Sequence, residues 1–422
     1  MSQALTRRAL LKTAAVGAAT AVFPHRTVAQ TSPKVVVVGG GFGGATCARE
    51  LKRKGLTVTL VEASAVYTAC PFSNAVLAGL RPIEAQEFNL DAVEKDRIDI
   101  VRKRAVRVDP QARRVALEDG SSLDYDRLVL SPGVDIRFDA LPGYDGAAAA
   151  TMPHAWKAGE QTTLLRRQLE AMDDGGTFVM TAPANPFRCP PGPYERASLI
   201  AHYFKTQKPR SKILILDAKD SFSKQRLFQA AWQDLYPGMI EWVSLSSGGN
   251  VVEADARSKT LLTDFGRHTG DVVNVIPPQR AGQIAQVAGV ADRTGWCPID
   301  PVTFESRLQP NVHVIGDASI AGGMPKSAFS ANAQGKVCAA AIASLLRGEA
   351  PIEPKLINTC YSLVAPDYGI SVAGVYSPRN GVLTDVEGAG GTSPASAPPA
   401  FRAQEATYAE AWFQTITREV YG

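Results

Sequence analysis

Three cysteines sit where chemistry, rather than packing, would place them. Cys70 lies in Y-T-A-C-P-F-S-N, Cys189 in F-R-C-P-P-G-P-Y-E and Cys360 in N-T-C-Y-S. Each context is turn-like, beside proline or polar residues. Arg188 puts a positive charge next to Cys189, which lowers a thiol pKa. Glu195 puts a carboxylate one helical turn along, able to move protons. Two readings of this pattern stay open. In an oxidising compartment Cys189 and Cys360 could form a plain staple, worth about 5 kcal/mol for a loop of roughly 170 residues on the chain-entropy model. A staple requires neither a proline-stiffened turn nor Arg188 and Glu195; those suit a disulfide meant to be opened.

The other cysteines read as structural. Cys47 and Cys338 lie in Ala-rich helical segments, and Cys297, in G-W-C-P-I-D, precedes a strand. There is no C-x-x-C-H for haem attachment and no C-x-x-C pair of metal-binding type.

The elements that must position the thiols begin with K-V-V-V-V-G-G-G-F-G-G-A-T-C-A-R-E-L, a buried strand, a glycine turn and a helix. L-T-V-T-L-V-E follows as a second strand ending in Glu62. Gly39, Gly41 and Gly44 stand in G-x-G-x-x-G register. The first lets the chain turn, the second lets backbone approach a pyrophosphate, and the third lets the helix pack on the strand. Glu62 is placed to accept hydrogen bonds from ribose hydroxyls. The sequence therefore predicts a dinucleotide site.

A later segment favours FAD over NAD. N-V-H-V-I-G-D-A-S is a strand ending in Gly316-Asp317, where two-dinucleotide flavoproteins place an aspartate on the ribityl chain. Y-D-R-L-V-L-S-P-G reads as the companion crossover. The long small-residue helix after Asp317 would turn its N-terminus toward the flavin, and Lys326 before it either adds positive charge there or is merely exposed. Residues 143–283 hold a second α/β pattern, whose first turn carries Pro183, Pro186, Pro190, Pro191 and Pro193 where a nicotinamide site needs glycines. Such a turn has few free N–H donors. Electrons are expected neither to come from NAD(P)H nor to go to it.

The expected fold is α/β. It has two Rossmann-like domains, the first discontinuous (30–142 and 284–354) and the second at 143–283, plus a small C-terminal α+β interface domain at 355–422. Its tail, 403–421, reads as an amphipathic helix. Ala409, Trp412, Phe413, Ile416 and Val420 form one stripe, and Glu405, Glu410 and Glu419 lie on the polar face. The scarcity of basic charge there favours packing on the body over membrane insertion.

Of 45 basic residues, Arg7, Arg8, Lys12 and Arg26 precede residue 30 without any acid, and the remainder balances the 41 acids. A neutral body gives no support to nucleic-acid binding. Residues 1–29, with T-R-R-A-L-L-K, a short apolar run and T-V-A, read as a twin-arginine signal for export to the periplasm.

The chain resembles the flavoprotein subunit of flavocytochrome c sulfide dehydrogenase, a relative of sulfide:quinone oxidoreductases and disulfide reductases. The resemblance spans nearly all of the sequence after the signal. It is carried by V-V-G-G-G-F-G-G-A-T, P-H-A-W-K-A-G-E-Q-T, P-F-R-C-P-P-G-P-Y-E-R-A, I-P-P-Q-R-A-G, G-W-C-P-I-D, V-I-G-D-A-S, M-P-K-S-A-F-S-A-N-A-Q-G-K, I-N-T-C-Y-S and A-P-D-Y-G-I-S-V. It implies FAD bonded covalently through Cys70, although Pro71-Phe72 after it departs from the bulkier pair of some members. It implies a redox-active Cys189–Cys360 disulfide beside the flavin, with Glu195 as acid/base. Sulfide would be the substrate, and electrons would pass to haem carried only on a c-type cytochrome partner. Two alternatives share the chemistry: a sulfide:quinone oxidoreductase, and an accessory thiol-exchange flavoprotein reactivating a thiosulfate-oxidising complex.

Overall fold

The computed structural model describes residues 32–422, and the expected export signal lies outside them. Val35 to Val38 are all buried in the strand Lys34–Val38. A continuous β-branched run of this kind suits a strand covered on both faces. It is the middle strand of a parallel five-stranded sheet ordered Val312–Val314, Arg127–Leu130, Lys34–Val38, Thr57–Val61, Asp99–Val101. The outermost strand, Val312–Val314, arrives from late in the chain, after a second sheet has been built. That second sheet is also parallel, ordered Ile240–Val243, Lys212–Asp217, Thr177–Ala182, Val272–Asn274.

Each parallel sheet is accompanied by a three-stranded antiparallel meander. One comprises Ala105–Asp109, Arg114–Leu117 and Ser122–Asp124; the other comprises Val251–Asp255, Thr260–Thr263 and Gly266–Thr269. The two units thus follow one plan, and the fold is the expected α/β class with two Rossmann-like units. A third sheet pairs Leu356–Ala365 with Tyr368–Arg379 and Val382–Asp385, all antiparallel.

The helices Phe42–Arg53 and Ala328–Leu346 cross at close range because Gly335 has no side chain. A Cβ there would stand 2.7 Å from the Gly43 carbonyl oxygen. Cys47 and Cys338 are fully buried in the same core.

The tail helix runs Pro399–Tyr421, beginning earlier than expected because proline is tolerated in a first helical turn. Ala409, Phe413, Ile416 and Val420 are buried. Glu405 corrects the expected polar face: it is 5% exposed. Its Oε1 accepts from the Ser371 and Ser393 hydroxyls at 2.6 Å each, so its burial is satisfied rather than orphaned. At the helix end Tyr421 stacks on Tyr67 and Phe88, and its hydroxyl donates to the Gly40 carbonyl at 3.3 Å.

Two buried histidines set an acid limit. His154 Nδ1 accepts from the Trp156 N–H at 3.0 Å, and burial, reinforced by Arg196, lowers its pKa to about 4. Burial likewise lowers His313 to about 4. Stability from keeping both neutral is present above the ordinary histidine pKa and is lost as pH falls toward 4. Urea unfolding should weaken between pH 7 and pH 4.5 by roughly 2–3 kcal/mol per histidine. The double variant His154→Gln/His313→Gln should show a flatter profile, and an equally steep one would contradict this account.

Candidate active site

The glycine turn has the sterics of a dinucleotide cradle. Gly39 adopts φ +103°, and a Cβ there would stand 2.3 Å from the Ser131 carbonyl oxygen. At Gly44 a Cβ would stand 1.8 Å from the Gly39 carbonyl oxygen. Gly41 precedes the helix Phe42–Arg53, and a Cβ there would press the Tyr67 ring at 3.3 Å. Glu62, at the end of the second strand, accepts from the Gly40 N–H at 2.7 Å and the Ser64 N–H at 2.8 Å.

Beside this turn opens a cleft of about 890 Å³, with Gly39, Gly41, Glu62, Cys70, Arg188 and Asp317 in its wall. Among the described residues, the buried Asp317 Oδ1 has no hydrogen-bond partner. A buried carboxylate oxygen left unpaired is costly unless a ligand hydroxyl meets it. Burial raises the Asp317 pKa, against the opposing charges of Arg188 and Lys326. The cradle closed to any Cβ and the orphaned Asp317 oxygen together fit FAD.

Of the two expectations for Lys326, the merely exposed lysine is excluded, and its charge lies against the turn that carries Asp317. It is neither exposed nor part of the cleft wall. Its ammonium donates to the Asp317 and Ser319 carbonyls at 2.8 and 2.7 Å and sits 4.0 Å from the Trp296 ring centroid. Burial lowers its pKa to about 8. It braces the turn that carries Asp317, because those two carbonyls and the indole face offer a partly buried cation its compensation there.

Next to the cleft lies a smaller cavity of about 110 Å³. Cys70, Cys189, Glu195 and Cys360 line it, with Trp156 and Trp412. Cleft and cavity share Cys70, Pro71, Arg188, Ser327 and Ala328, so they meet at the Cys70–Arg188 seam. Cys70 Sγ lies 3.9 Å from the Trp156 carbonyl oxygen, to which Arg188 also donates. Arg188 further approaches Asp317 at 4.0 Å.

Cys189 adopts φ +55°, a left-handed conformation that is uncommon outside glycine and its polar stand-ins. Its N–H donates to the Lys326 carbonyl at 2.9 Å, and its own carbonyl accepts from the Gly192 N–H at 2.8 Å. Gly192 opens the helix Gly192–Gln207; a Cβ on it would meet Cys189 Sγ at 3.1 Å and the Trp156 ring at 2.8 Å. Burial raises the Cys189 pKa, Glu195 and Cys360 push it further, and Lys224 and Arg188 oppose them. Cys360 is raised by burial but relieved by Asn358, whose Nδ2 stands 3.3 Å from its sulfur, and by Lys224. All six cysteines are free thiols, so the expected Cys189–Cys360 bond is not formed in this structure. The two side chains nevertheless line one cavity.

Glu195 is held from two sides. Oε1 accepts from the Leu363 N–H and Oε2 from Asn74 Nδ2, both at 2.8 Å. Burial raises its pKa against these donors. Beside it, Arg196 is 2% exposed and has only neutral acceptors: Asn74 Oδ1 at 3.0 Å, Asn274 Oδ1 at 2.8 Å, and the His154 and Ala155 carbonyls at 3.1 and 2.6 Å. Sequence reasoning left out Arg196, Asn74, Trp156 and Lys224. Only Arg196 had a local signal, its position after Glu195 in P-Y-E-R.

The second Rossmann-like unit keeps an acid at the end of its second strand, Asp217, but turns it inward. Asp217 is 0% exposed and accepts from Tyr194 at 2.5 Å, Trp242 Nε1 at 2.9 Å and Lys219 at 2.6 Å. The position corresponding to Glu62 is thus occupied by the protein's own aromatic residues, with Tyr194 stacked on Phe222.

Comparisons with known proteins converge on one group. Residues 162–277 match the family described as sulfide dehydrogenase [flavocytochrome c] flavoprotein chain, central. Residues 352–421 match flavocytochrome c sulphide dehydrogenase, flavin-binding, and residues 33–171 match pyridine nucleotide-disulphide oxidoreductase. The mitochondrial sulfide:quinone oxidoreductase of Mus musculus is 22% identical over 343 residues, 76% of this chain and 73% of that protein. A sulfide dehydrogenase [flavocytochrome c] flavoprotein chain from Chlorobaculum thiosulfatiphilum is 56% identical over 45 residues, 10% of this chain and 94% of that sequence. The solved sulfide:quinone oxidoreductase of Aquifex aeolicus superposes with a TM-score of 0.72 at 16% identity, covering 92% of each chain. The chain belongs to the two-dinucleotide-binding flavoproteins that oxidise sulfide. In this sulfide-oxidising flavoprotein the cleft has the cradle and the free carboxylate oxygen that FAD requires, and the second unit is a Rossmann-like scaffold whose acid is turned to structural use.

Removing a buried cation's side chain orphans every acceptor around it. Arg196→Leu should lower stability by about 3 kcal/mol or more, read as a shift in urea midpoint. A shift under roughly 1 kcal/mol would show that the acceptors re-pair without it.

Proposed function

We propose that this flavoprotein oxidises sulfide through a bridge between Cys189 and Cys360 and delivers the electrons to a c-type cytochrome partner in the periplasm. The observation that carries the reading is the shared seam: two thiols remote in sequence line one small cavity that opens on the FAD cleft at Cys70 and Arg188.

Hydrosulfide enters the cavity and attacks one bridge sulfur. The S–S bond breaks, leaving a persulfide on one cysteine and a thiolate on the other. Glu195, buried with its pKa raised, takes or returns the proton carried by the incoming sulfur. Cys189, held in place by Lys326 and Gly192, keeps its sulfur at the helix N-terminus, where the dipole favours negative charge. FAD, when bound, would supply the two-electron acceptor and the one-electron chemistry that a haem partner needs. Cys70, in the wall of both cavities, is the residue we assign to a thioether with FAD, and Asp317 and Glu62 hold its hydroxyl groups. Trp156 and Trp412 restrict water around the thiols.

The tail supports a cytochrome over a quinone as acceptor. Ala409, Phe413, Ile416 and Val420 of its stripe are buried against the body, and among the described residues no helix is long and apolar enough to cross a membrane. Export by the twin-arginine pattern at Arg7-Arg8 supports the periplasmic placement.

Anaerobic sulfide should bleach the flavin absorbance of the purified protein, and c-type cytochrome should restore it faster than a soluble quinone does. Cys189→Ser and Cys360→Ser should each lower bleaching at least 100-fold. Negligible turnover alone, with stimulation of a thiosulfate-oxidising complex, would instead identify the accessory thiol-exchange role. In acid, flavin should stay with the wild-type polypeptide and leave Cys70→Ser; free flavin from the wild type removes the thioether.

A further inference from the structure

A buried lysine lies behind the thiol cavity, and nothing in the chemistry above has used it. Lys224 precedes the helix Gln225–Leu235 in a left-handed conformation, φ 62°, and is 8% exposed. Its ammonium donates to the Cys360 carbonyl at 3.0 Å, to Ser362 Oγ at 2.8 Å and to the Ile370 carbonyl at 3.4 Å. All three acceptors are on the hairpin that carries Cys360. Among the described residues, its hydrogen-bond acceptors are all neutral and no carboxylate forms an ion pair with it. A buried cation compensated only by neutral acceptors is costly, and the cost is offset where a transient anion appears beside it.

The charged groups facing it come from every neighbouring element. Cys360 lies on the strand Leu356–Ala365, Glu195 on the helix Gly192–Gln207, Cys189 on the turn before that helix, and Glu405 on the tail helix. Glu405 is already matched by Arg402 and two serines, and Glu195 by Leu363 and Asn74. The two fixed partners of Glu195 are neutral, so Lys224 answers that carboxylate as well as the sulfurs, while its hydrogen bonds fall on the hairpin that carries Cys360.

We propose that Lys224 is a positioning residue that holds the counter-charge for sulfur at Cys360, stabilising the thiolate or persulfide anion that forms there when the bridge opens. This inference rests on the sulfide-oxidising reading. It assigns electrostatic asymmetry to the pair. Lys224 relieves both sulfurs and Glu195 presses on both, but the Lys224 ammonium is hydrogen-bonded to the Cys360 carbonyl, and the Asn358 amide stands 3.3 Å from the Cys360 sulfur. Because Lys224 is buried, its pKa falls to about 8, so the counter-charge is present at neutral pH and fades as pH rises through that value.

The test uses the reduced holoprotein under anaerobic conditions. The rate of Cys360 alkylation by iodoacetamide is followed against pH by peptide mass spectrometry. Relative to wild type, Lys224→Met should raise the alkylation midpoint by about one pH unit or more, cutting the rate at pH 7.5 roughly tenfold. Lys224→Gln keeps a hydrogen-bond donor and loses the charge, so it should shift equally and carries the test if the Met variant does not fold. Lys224→Arg should stay within a few tenths of a unit of wild type. An unshifted midpoint in folded Met or Gln protein, or an Arg variant shifted as far as Gln, overturns the role of Lys224. A non-reducing peptide map of oxidised wild type separates the two readings. A Cys189–Cys360 bridge with an unshifted midpoint sinks Lys224 alone, whereas no bridge sinks the sulfide mechanism and this inference with it.

Discussion

The Glu195 carboxylate is the knot of the site. One oxygen receives the Leu363 N–H and the other the Asn74 amide. Each tied segment carries one of the three cysteines: Asn74 follows Cys70, Leu363 follows Cys360, and Glu195 follows Cys189 by a few residues. A single buried carboxylate therefore gathers three stretches of chain that the sequence keeps far apart. Its desolvation is offset by two short hydrogen bonds and the nearby charges of Lys224 and Arg196.

The site sits at a junction of unlike units. Both Rossmann-like units end their second strand in an acid, yet the two acids have opposite fates. Glu62 closes the glycine turn and faces the cleft. Asp217 is sealed under Tyr194, Trp242 and Lys219. The prolines of the 183–193 turn then serve a different end, presenting Cys189 to the seam. One duplicated plan has thus yielded a cofactor site in one half and a thiol platform in the other.

Much of this was legible because its causes are local. Gly44 answers a steric demand five residues away at Gly39, the spacing of Gly39 and Gly41 marks the turn although the atoms that crowd them belong to Ser131 and Tyr67, and the valine strand announces its burial by composition. The proline-rich turn could be read for the same reason. The partners of Lys326 were not legible, because proximity in sequence to a flavin helix says nothing of the Asp317 and Ser319 carbonyls that capture its ammonium. Glu405 was placed on the polar face because its serine partners stand on another strand and a following loop. Lys224, Arg196 and Asn74 had no readable role, since each acquires one only when distant backbone carbonyls and amides close around it.

Tyr421 reaches from the tail helix to the Gly40 carbonyl and stacks on the aromatic wall formed by Tyr67 and Phe88. The glycine turn is thus roofed by the last turn of the helix Pro399–Tyr421. Loss of that helical turn would open the roof over the glycine loop without touching a single residue of it, which makes the shape of the cradle depend on a helix far from it in sequence.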